Sequence, residues 1–242
     1  MNKSLPHDAY EALADDYNAM IETKPHNAYY DRPAVQSLVP GVSGKAILDA
    51  GCGSGVYAAW LINKGAMVTA IDASEKMLSH AKNRLGNKAE LILANMEEPL
   101  SFLQNESFDG VLSSLAIAYV HDHYALFKEF SRVLKTNGWF IFSTDHPFFN
   151  YEFFKLDNYF ETTLIEYTWK GFGKLVNMPS YYHSLGSLTG ALNDSGFVIE
   201  KILEPKPTED FKINDERNYN ELMKFPSFIC MKARKISYVP EE

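Results

Sequence analysis

Cysteine is nearly absent: the 242 residues hold two, Cys52 and Cys230. A pair so far apart in sequence supports no disulfide framework, and a thiolate metal site would lack ligands, so both read as reduced thiols. No apolar run approaches the ~20 residues needed to cross a bilayer. The start, MNKSLPHDAYEALADDY, lacks the basic-then-apolar pattern of an export signal. These absences lead to the expectation of a cytoplasmic protein with no membrane partner. Positive charge is also in deficit, with 23 basic residues against 31 acidic ones and a net charge of -8. Such a surface repels a phosphate backbone and disfavours a nucleic-acid substrate. Neither an internal repeat nor a low-complexity tract is present. The P-loop pattern G-x-x-x-x-G-K-[ST] is missing, and the dinucleotide fingerprint G-x-G-x-x-G fails at its third glycine, where Val56 stands.

What remains is ordinary globular composition, 46% hydrophobic and 22% charged with mean hydropathy -0.23, in a length suited to one large α/β domain. Short apolar runs at 45–50, 66–72, 89–94, 108–114 and 139–144 alternate with helical patterns at 56–64, 74–85 and about 122–135. This alternation implies parallel strands with crossover helices, and unbroken apolar strands imply a sheet covered on both faces. The spacing predicts leader helices over 7–22 and 28–39, a turn at Thr136-Asn137-Gly138, a late helix over 185–195 and last strands at 197–203 and 226–233. The polar, proline-containing stretch PKPTEDFKINDERNYNE reads as a surface connection. Residues 148–182 carry 12 aromatics in 35 positions, against 14% over the chain, and mark an inserted subregion.

The stretch that carries chemistry is Asp49-Ala-Gly51-Cys-Gly53-Ser-Gly55, followed by Ile71-Asp72 at the end of the next strand. Glycines there let the chain turn sharply and approach a ligand at the carboxyl end of the first strand. An acid ending the second strand can accept hydrogen bonds from both hydroxyls of a ribose, so the cleft is expected to hold an adenosine-containing ligand. Asp49 would sit awkwardly beside a diphosphate and suits a ligand presenting an ammonium group.

ILDAGCGSG together with Asp72 resembles the class I S-adenosylmethionine-dependent methyltransferases. The resemblance spans roughly residues 8–233 and includes ALADDYN, NAYYDRPA, LANMEEPL, FDGVLSSLAIAYV, EFSRVLKTNGWFIFSTDHPF and ALNDSGFVIEKILEP in family order. It implies an α/β, Rossmann-like doubly wound fold: a mostly parallel seven-stranded sheet with helices on both faces, an N-terminal helical lid and an aromatic-rich insert after the fifth strand. Residues 1–242 would form a single domain, with 1–40 the leader or lid, 41–147 the cofactor-binding core, 148–183 the substrate cap and 184–242 the C-terminal helix and last two strands. The implied cofactor is S-adenosylmethionine, leaving as S-adenosylhomocysteine, and the implied partner a small-molecule methyl acceptor, in a monomer or homodimer. No metal is expected.

Residue by residue, the resemblance implies that Gly51, Gly53 and Gly55 wrap the methionine part, Asp49 lies near its amino group and Asp72 holds the ribose. Asn95 and Met96 match positions beside the adenine, and Leu115 lines the methionine side. Tyr30 and Arg32 match a leader segment that closes over the ligand, with Arg32 pairing the methionine carboxylate. Tyr17, Cys52, Ala73 and Met77 complete the expected cofactor set. Asn95 departs from the Asp common in the family, which keeps an acceptor for the adenine amino group but loses its charge.

A sulfonium methyl is electrophilic enough that alignment behind it matters most, while an oxygen acceptor also needs a base. His146, in Thr-Asp-His-Pro after the fifth strand, is the first candidate and His183 the second. His121 and His123 bracket Asp122 at a helix start and read as a surface cap rather than a metal pair. Ala118 and Tyr119 stand where relatives often carry a His, and Ser184-Leu185 where they tend to show Arg-Pro, so a protein that binds the cofactor without methylating is the alternative. A nucleic-acid methyltransferase ranks below it, because SSLAIAYV replaces the Asn/Asp-Pro-Pro-aromatic segment. Phe153, Phe154, Trp169, Tyr181 and Tyr182 could line a pocket for a small planar acceptor or be core or dimer surface.

Overall fold

The inner apolar runs become strands because each has a partner on both sides in a sheet flanked by helices, while the runs at 89–93 and 197–203 form its two edges. A computed structural model describes residues 3–236; the outermost residues of the expected leader and C-terminal segments, 1–2 and 237–242, lie outside the described residues. Strands β1 (Ala46–Ala50), β2 (Met67–Asp72), β3 (Ala89–Leu93), β4 (Phe108–Ser114) and β5 (Leu134–Asp145) alternate with helices α3 (Val56–Asn63), α4 (Glu75–Leu85) and α5 (His123–Val133). Ahead of them stand α1 (His7–Met20) and α2 (Arg32–Leu38). Behind them come α6 (Pro147–Phe154), β6 (Thr163–Trp169), β7 (Val176–Tyr182), α7 (Leu185–Asp194), β8 (Phe197–Leu203), α8 (Glu209–Asn214), α9 (Glu216–Leu222) and β9 (Phe228–Lys235). The seven-stranded sheet runs β3-β2-β1-β4-β5-β9-β8, with β9 antiparallel to both neighbours, and β6 and β7 pair as a separate antiparallel hairpin.

Strand alternation divides the core into two layers. On one face Leu48, Val111, Phe140 and Phe142 meet Phe127 and Phe130 of α5 and Leu188 and Leu192 of α7. On the other, Ile47, Val68, Leu112 and Ile141 meet Val35 and Leu38 of α2, Leu61 of α3 and Leu85 of α4. Full burial of each such side chain contributes about 1.5–3 kcal/mol relative to exposure. Helix starts are set by side chains that accept orphan N–H groups: Ser74 from Met77, Asp122 from Ala125 and Ser184 from Ser187.

Three local expectations change. The turn at Thr136-Asn137-Gly138 is a kink inside β5, where Asn137 takes φ 64° and the register with β4 shifts between Phe108 and Gly110. The leader contains a π-helical turn, Asn27–Asp31, that runs into α2. The polar stretch after β8 is helical over α8 and α9, because Phe211 and Leu222 bury against Tyr30.

Gly110 lies under the Trp139 indole, where an added Cβ would come within 2.2 Å of the ring, whereas Gly190 in α7 faces open space. Overpacking predicts that Gly110→Ala lowers stability by about 1–3 kcal/mol, and Gly190→Ala raises it by about 0.4–1 kcal/mol. Urea unfolding checks both; equal midpoints for the two variants would contradict this packing.

Candidate functional site

Strand order reverses between β1 and β4, so the helices following β1 and β4 leave to opposite faces and open a crevice at the carboxyl edge of the sheet. A cavity of about 420 Å³ occupies it, within the roughly 300–1,000 Å³ typical of small-ligand sites.

The floor is the loop after β1. Gly51 and Gly53 adopt φ 78° and 53°, a region that costs other residues strain. A Cβ on Gly51 would fall 2.4 Å from the Ala116 Cβ. The N–H groups of Gly51 and Cys52 both donate to the Ile71 carbonyl at 2.9 Å, folding the loop back over β2. Asp72 fixes it from the other side: one carboxylate oxygen accepts the Gly53 N–H at 2.8 Å and the other the Ser74 N–H at 2.9 Å. A carboxylate offers about four lone-pair sites, so acceptor capacity remains for a ligand. Burial is the largest influence on Asp72 and raises its pKa, offset by these N–H groups.

Of the residues expected at the cofactor, Tyr17, Arg32, Gly51, Cys52, Gly53, Asp72, Ala73, Met77, Asn95, Met96 and Leu115 line this cavity. Three do not. Gly55 serves packing, since a Cβ there would press on Ala81 and Leu85 of α4 at 3.1–3.3 Å. Tyr30 is buried between Phe211 and Phe228, where its hydroxyl accepts the Ser227 N–H at 3.1 Å, so it anchors the leader rather than facing the ligand. Asp49 is 1% exposed and also lies off the cavity lining. Its Oδ2 has no hydrogen-bond partner. Burial, then the nearby Asp72 charge, push its pKa up to about 7 against the Ala58 N–H. Close by, Asp31 accepts the hydroxyls of Tyr57 and Ser114 at 2.7 Å each, leaving its other oxygen unpartnered. The Arg32 Nη2 donates to the Ile21 carbonyl at 2.8 Å, while its buried Nε has no partner.

Neither candidate histidine lines the main cavity. His146 begins α6: its Nδ1 accepts the Phe148 N–H at 3.2 Å and its Nε2 meets Glu204 at 3.0 Å. His183 stacks on His123 with ring centroids 3.7 Å apart. Its Nε2 lies 3.2 Å from the Val120 carbonyl and its Nδ1 3.4 Å from the Thr162 hydroxyl. Burial drives His183 down to about 4 and His123 to about 3, so both are neutral near pH 7. His123 is buried rather than a surface cap; Asp122 caps α5 instead.

The cavity is also lined by residues that sequence reasoning did not assign there: Tyr10, Lys24, His26, Tyr119, Asp145, Phe149, Tyr167, Phe172 and Met178, beside the expected Trp169. The Tyr10 and Tyr119 hydroxyls are 2.7 Å apart, and burial raises both phenol pKa values. Lys24 donates to the Gly171 carbonyl and lies 4.9 Å from the Phe172 ring centroid, joining the leader to the β6–β7 hairpin. Of the other expected cap residues, Phe153 and Phe154 are off the cavity, while Tyr181 and Tyr182 line a separate small one. The aromatic enrichment at 148–182 was the available signal for this part of the lining, but it did not distinguish inward from outward rings.

The residues present fit a nucleoside sulfonium with an amino-acid tail. A Cβ would block the glycine cradle, Asp72 retains acceptor capacity, and an unpartnered carboxylate oxygen and guanidinium nitrogen are buried around the loop. Residues 48–142 match the methyltransferase domain family. The chain is 31% identical over 113 residues to the ubiquinone biosynthesis O-methyltransferase of Nitrosomonas europaea, covering 46% of this chain and 48% of that one. It is 39% identical over 144 residues to the malonyl-[acyl-carrier protein] O-methyltransferase of Erwinia pyrifoliae, covering 60% and 52%. The chain thus spans about half the length of these curated relatives. A solved S-adenosylmethionine-dependent methyltransferase from Mesorhizobium loti superposes with a TM-score of 0.70 at 27% identity, covering 89% of this chain and 100% of that one. Sheet order, glycine cradle and domain match together give this chain a methyltransferase domain over residues 48–142, in the fold of S-adenosylmethionine-dependent methyltransferases.

Proposed function

We propose that the protein transfers a methyl group from S-adenosylmethionine to a small-molecule acceptor in the cytoplasm. One observation carries this reading: a single cavity is lined both by Gly51, Gly53, Asp72 and Asn95 and by an aromatic cluster that includes Tyr119, Tyr167, Trp169 and Phe172, with Met178. Its volume suits a cofactor and a compact acceptor better than a polymer, and the names of the relatives above add support. When bound, the cofactor supplies an electrophilic methyl on a sulfonium. Asp72 would hold the ribose hydroxyls, Arg32 the methionine carboxylate, and Met77, Ala73, Asn95 and Met96 the adenine. Asp49 acts through its charge from beneath the loop. Tyr10 and Tyr17 on α1 close over the site, held there by Glu11, which accepts the Ser74 hydroxyl at 2.6 Å. Alignment of acceptor and methyl in such a closed space can supply about 7–11 kcal/mol of barrier reduction.

Asp72→Ala is expected to weaken S-adenosylhomocysteine binding by about 1.5–3 kcal/mol, the range for hydrogen bonds to a charged group; calorimetry showing unchanged affinity in a folded variant would remove Asp72 from the ribose. With a panel of small acceptors, the wild type should form S-adenosylhomocysteine, and Trp169→Ala should raise the acceptor KM while leaving cofactor affinity intact. Binding of the cofactor with no product from any acceptor would favour a protein that binds S-adenosylmethionine without methylating.

A further inference from the structure

Asp145 ends β5 beside the loop that carries Leu115, whose N–H donates to the Ser143 carbonyl at 3.0 Å. It stands on the wall between two spaces, lining both the main cavity and a small one of about 10 Å³ that it shares with His123 and His183. The Asn150 side chain, buried in α6, hydrogen-bonds its carboxyl group, leaving acceptor capacity toward the main cavity.

Among the described residues, no group facing it offers a free positive charge near pH 7. Tyr119 and Tyr167 from the cavity side are phenols held above their usual pKa, first by burial. Across the small space, His123 and His183 each direct Nε2 at a backbone carbonyl, which requires the N–H on that nitrogen, and both are held neutral by burial. His146, the next residue, turns to Glu204 and the start of α6. Lys24 is engaged with Gly171 and with the Phe172 and Trp169 rings.

Resting on the small-acceptor reading, we propose that Asp145 is the catalytic base and that the acceptor is a hydroxyl on a planar aromatic compound, its ring held by Tyr167, Trp169, Phe172 and Phe149. A base is needed only where the attacking atom must lose a proton, which fits a hydroxyl and not a carboxylate or a thioether. A cationic amine is disfavoured because the ring faces of Phe172 and Trp169 already carry the Lys24 ammonium. In the step, a lone pair of the hydroxyl oxygen forms the new bond to the methyl carbon as the carbon–sulfur bond breaks, its electron pair staying on sulfur. The hydroxyl proton passes to the Asp145 carboxylate and later to water. Burial raises the Asp145 pKa to about 6, opposed by Asn150, so the carboxylate form predominates at neutral pH while its basicity exceeds that of an ordinary Asp.

The test uses the full chain loaded with S-adenosylhomocysteine and 2-naphthol as a fluorescent probe that stays neutral in the range used. Wild-type affinity for 2-naphthol should rise several-fold from about pH 5 to about pH 7.5, as the carboxylate form becomes available to accept its hydrogen bond; the Asp145→Asn variant should show a flat profile. With S-adenosylmethionine, the wild type should methylate 2-naphthol, and Asp145→Asn should be slower by about 100- to 10,000-fold, the usual contribution of a general base, with cofactor affinity unchanged. A flat wild-type profile, wild-type turnover in Asp145→Asn, or transfer to 2-aminonaphthalene in place of 2-naphthol would overturn this inference and leave the small-acceptor reading standing. Cofactor binding with transfer to no acceptor in the wider panel would overturn that reading, and this inference with it. The wild-type titration needs no variant, so the test survives if Asp145→Asn fails to fold.

Discussion

Carboxylates withdrawn from water at the carboxyl edge of the sheet set the terms for the rest of the site. Asp31, Asp49, Asp72 and Asp145 are all held above the ordinary carboxylate range, and in each case burial is the largest cause. An ionised carboxyl group without water or partner is costly, and the protein meets that cost unevenly. Asp72 receives two backbone N–H groups and one Asp31 oxygen two hydroxyls, while the other Asp31 oxygen and one Asp49 oxygen have no partner. On the function proposed above, a ligand that brings an ammonium and a sulfonium to this edge would supply the missing positive charge, and the acids beneath and around the loop would take part in cofactor selection.

The same arrangement works against the ligand-free fold. Because the folded pKa of Asp49 lies near 7, above that of an exposed Asp, the native state holds its proton more tightly than the unfolded chain does. This contribution is therefore favourable at low pH, declines as pH rises from the ordinary Asp range toward 7, and levels off above it. The two-layer core and the capped helices must absorb that loss, and the stiff glycine loop, tied by Ile71 and Asp72, keeps the acids in place while they do.

How much of this was legible in the sequence depends on distance along the chain. The strands and the glycine loop are local features: periodicity, turns and the spacing of Asp49, Gly51, Gly53 and Asp72 are set by neighbouring residues, and the parallel core follows from them. The aromatic part of the cavity lining is assembled from remote segments. Tyr10 meets Tyr119 across 109 positions and Lys24 meets Gly171 across 147, and no pattern in either segment announces the contact. In Thr144-Asp145-His146-Pro147 the histidine was the residue expected at the cleft; Asp145 lines the cavity, and His146 follows the chain into the next helix as its cap. The helices α8 and α9 were hidden because polar residues and prolines surround their anchors, Phe211 and Leu222.

The most direct test of the central claim is proton linkage on cofactor binding. Isothermal titration of S-adenosylmethionine into the wild type and Asp49→Asn, in buffers of different ionisation enthalpy on either side of about pH 7, reports protons exchanged. The account predicts that the wild type releases protons on binding below that pH and binds more tightly as pH rises through it, while Asp49→Asn loses most of both effects. Affinity that is independent of pH, with no proton release in the wild type, would contradict it.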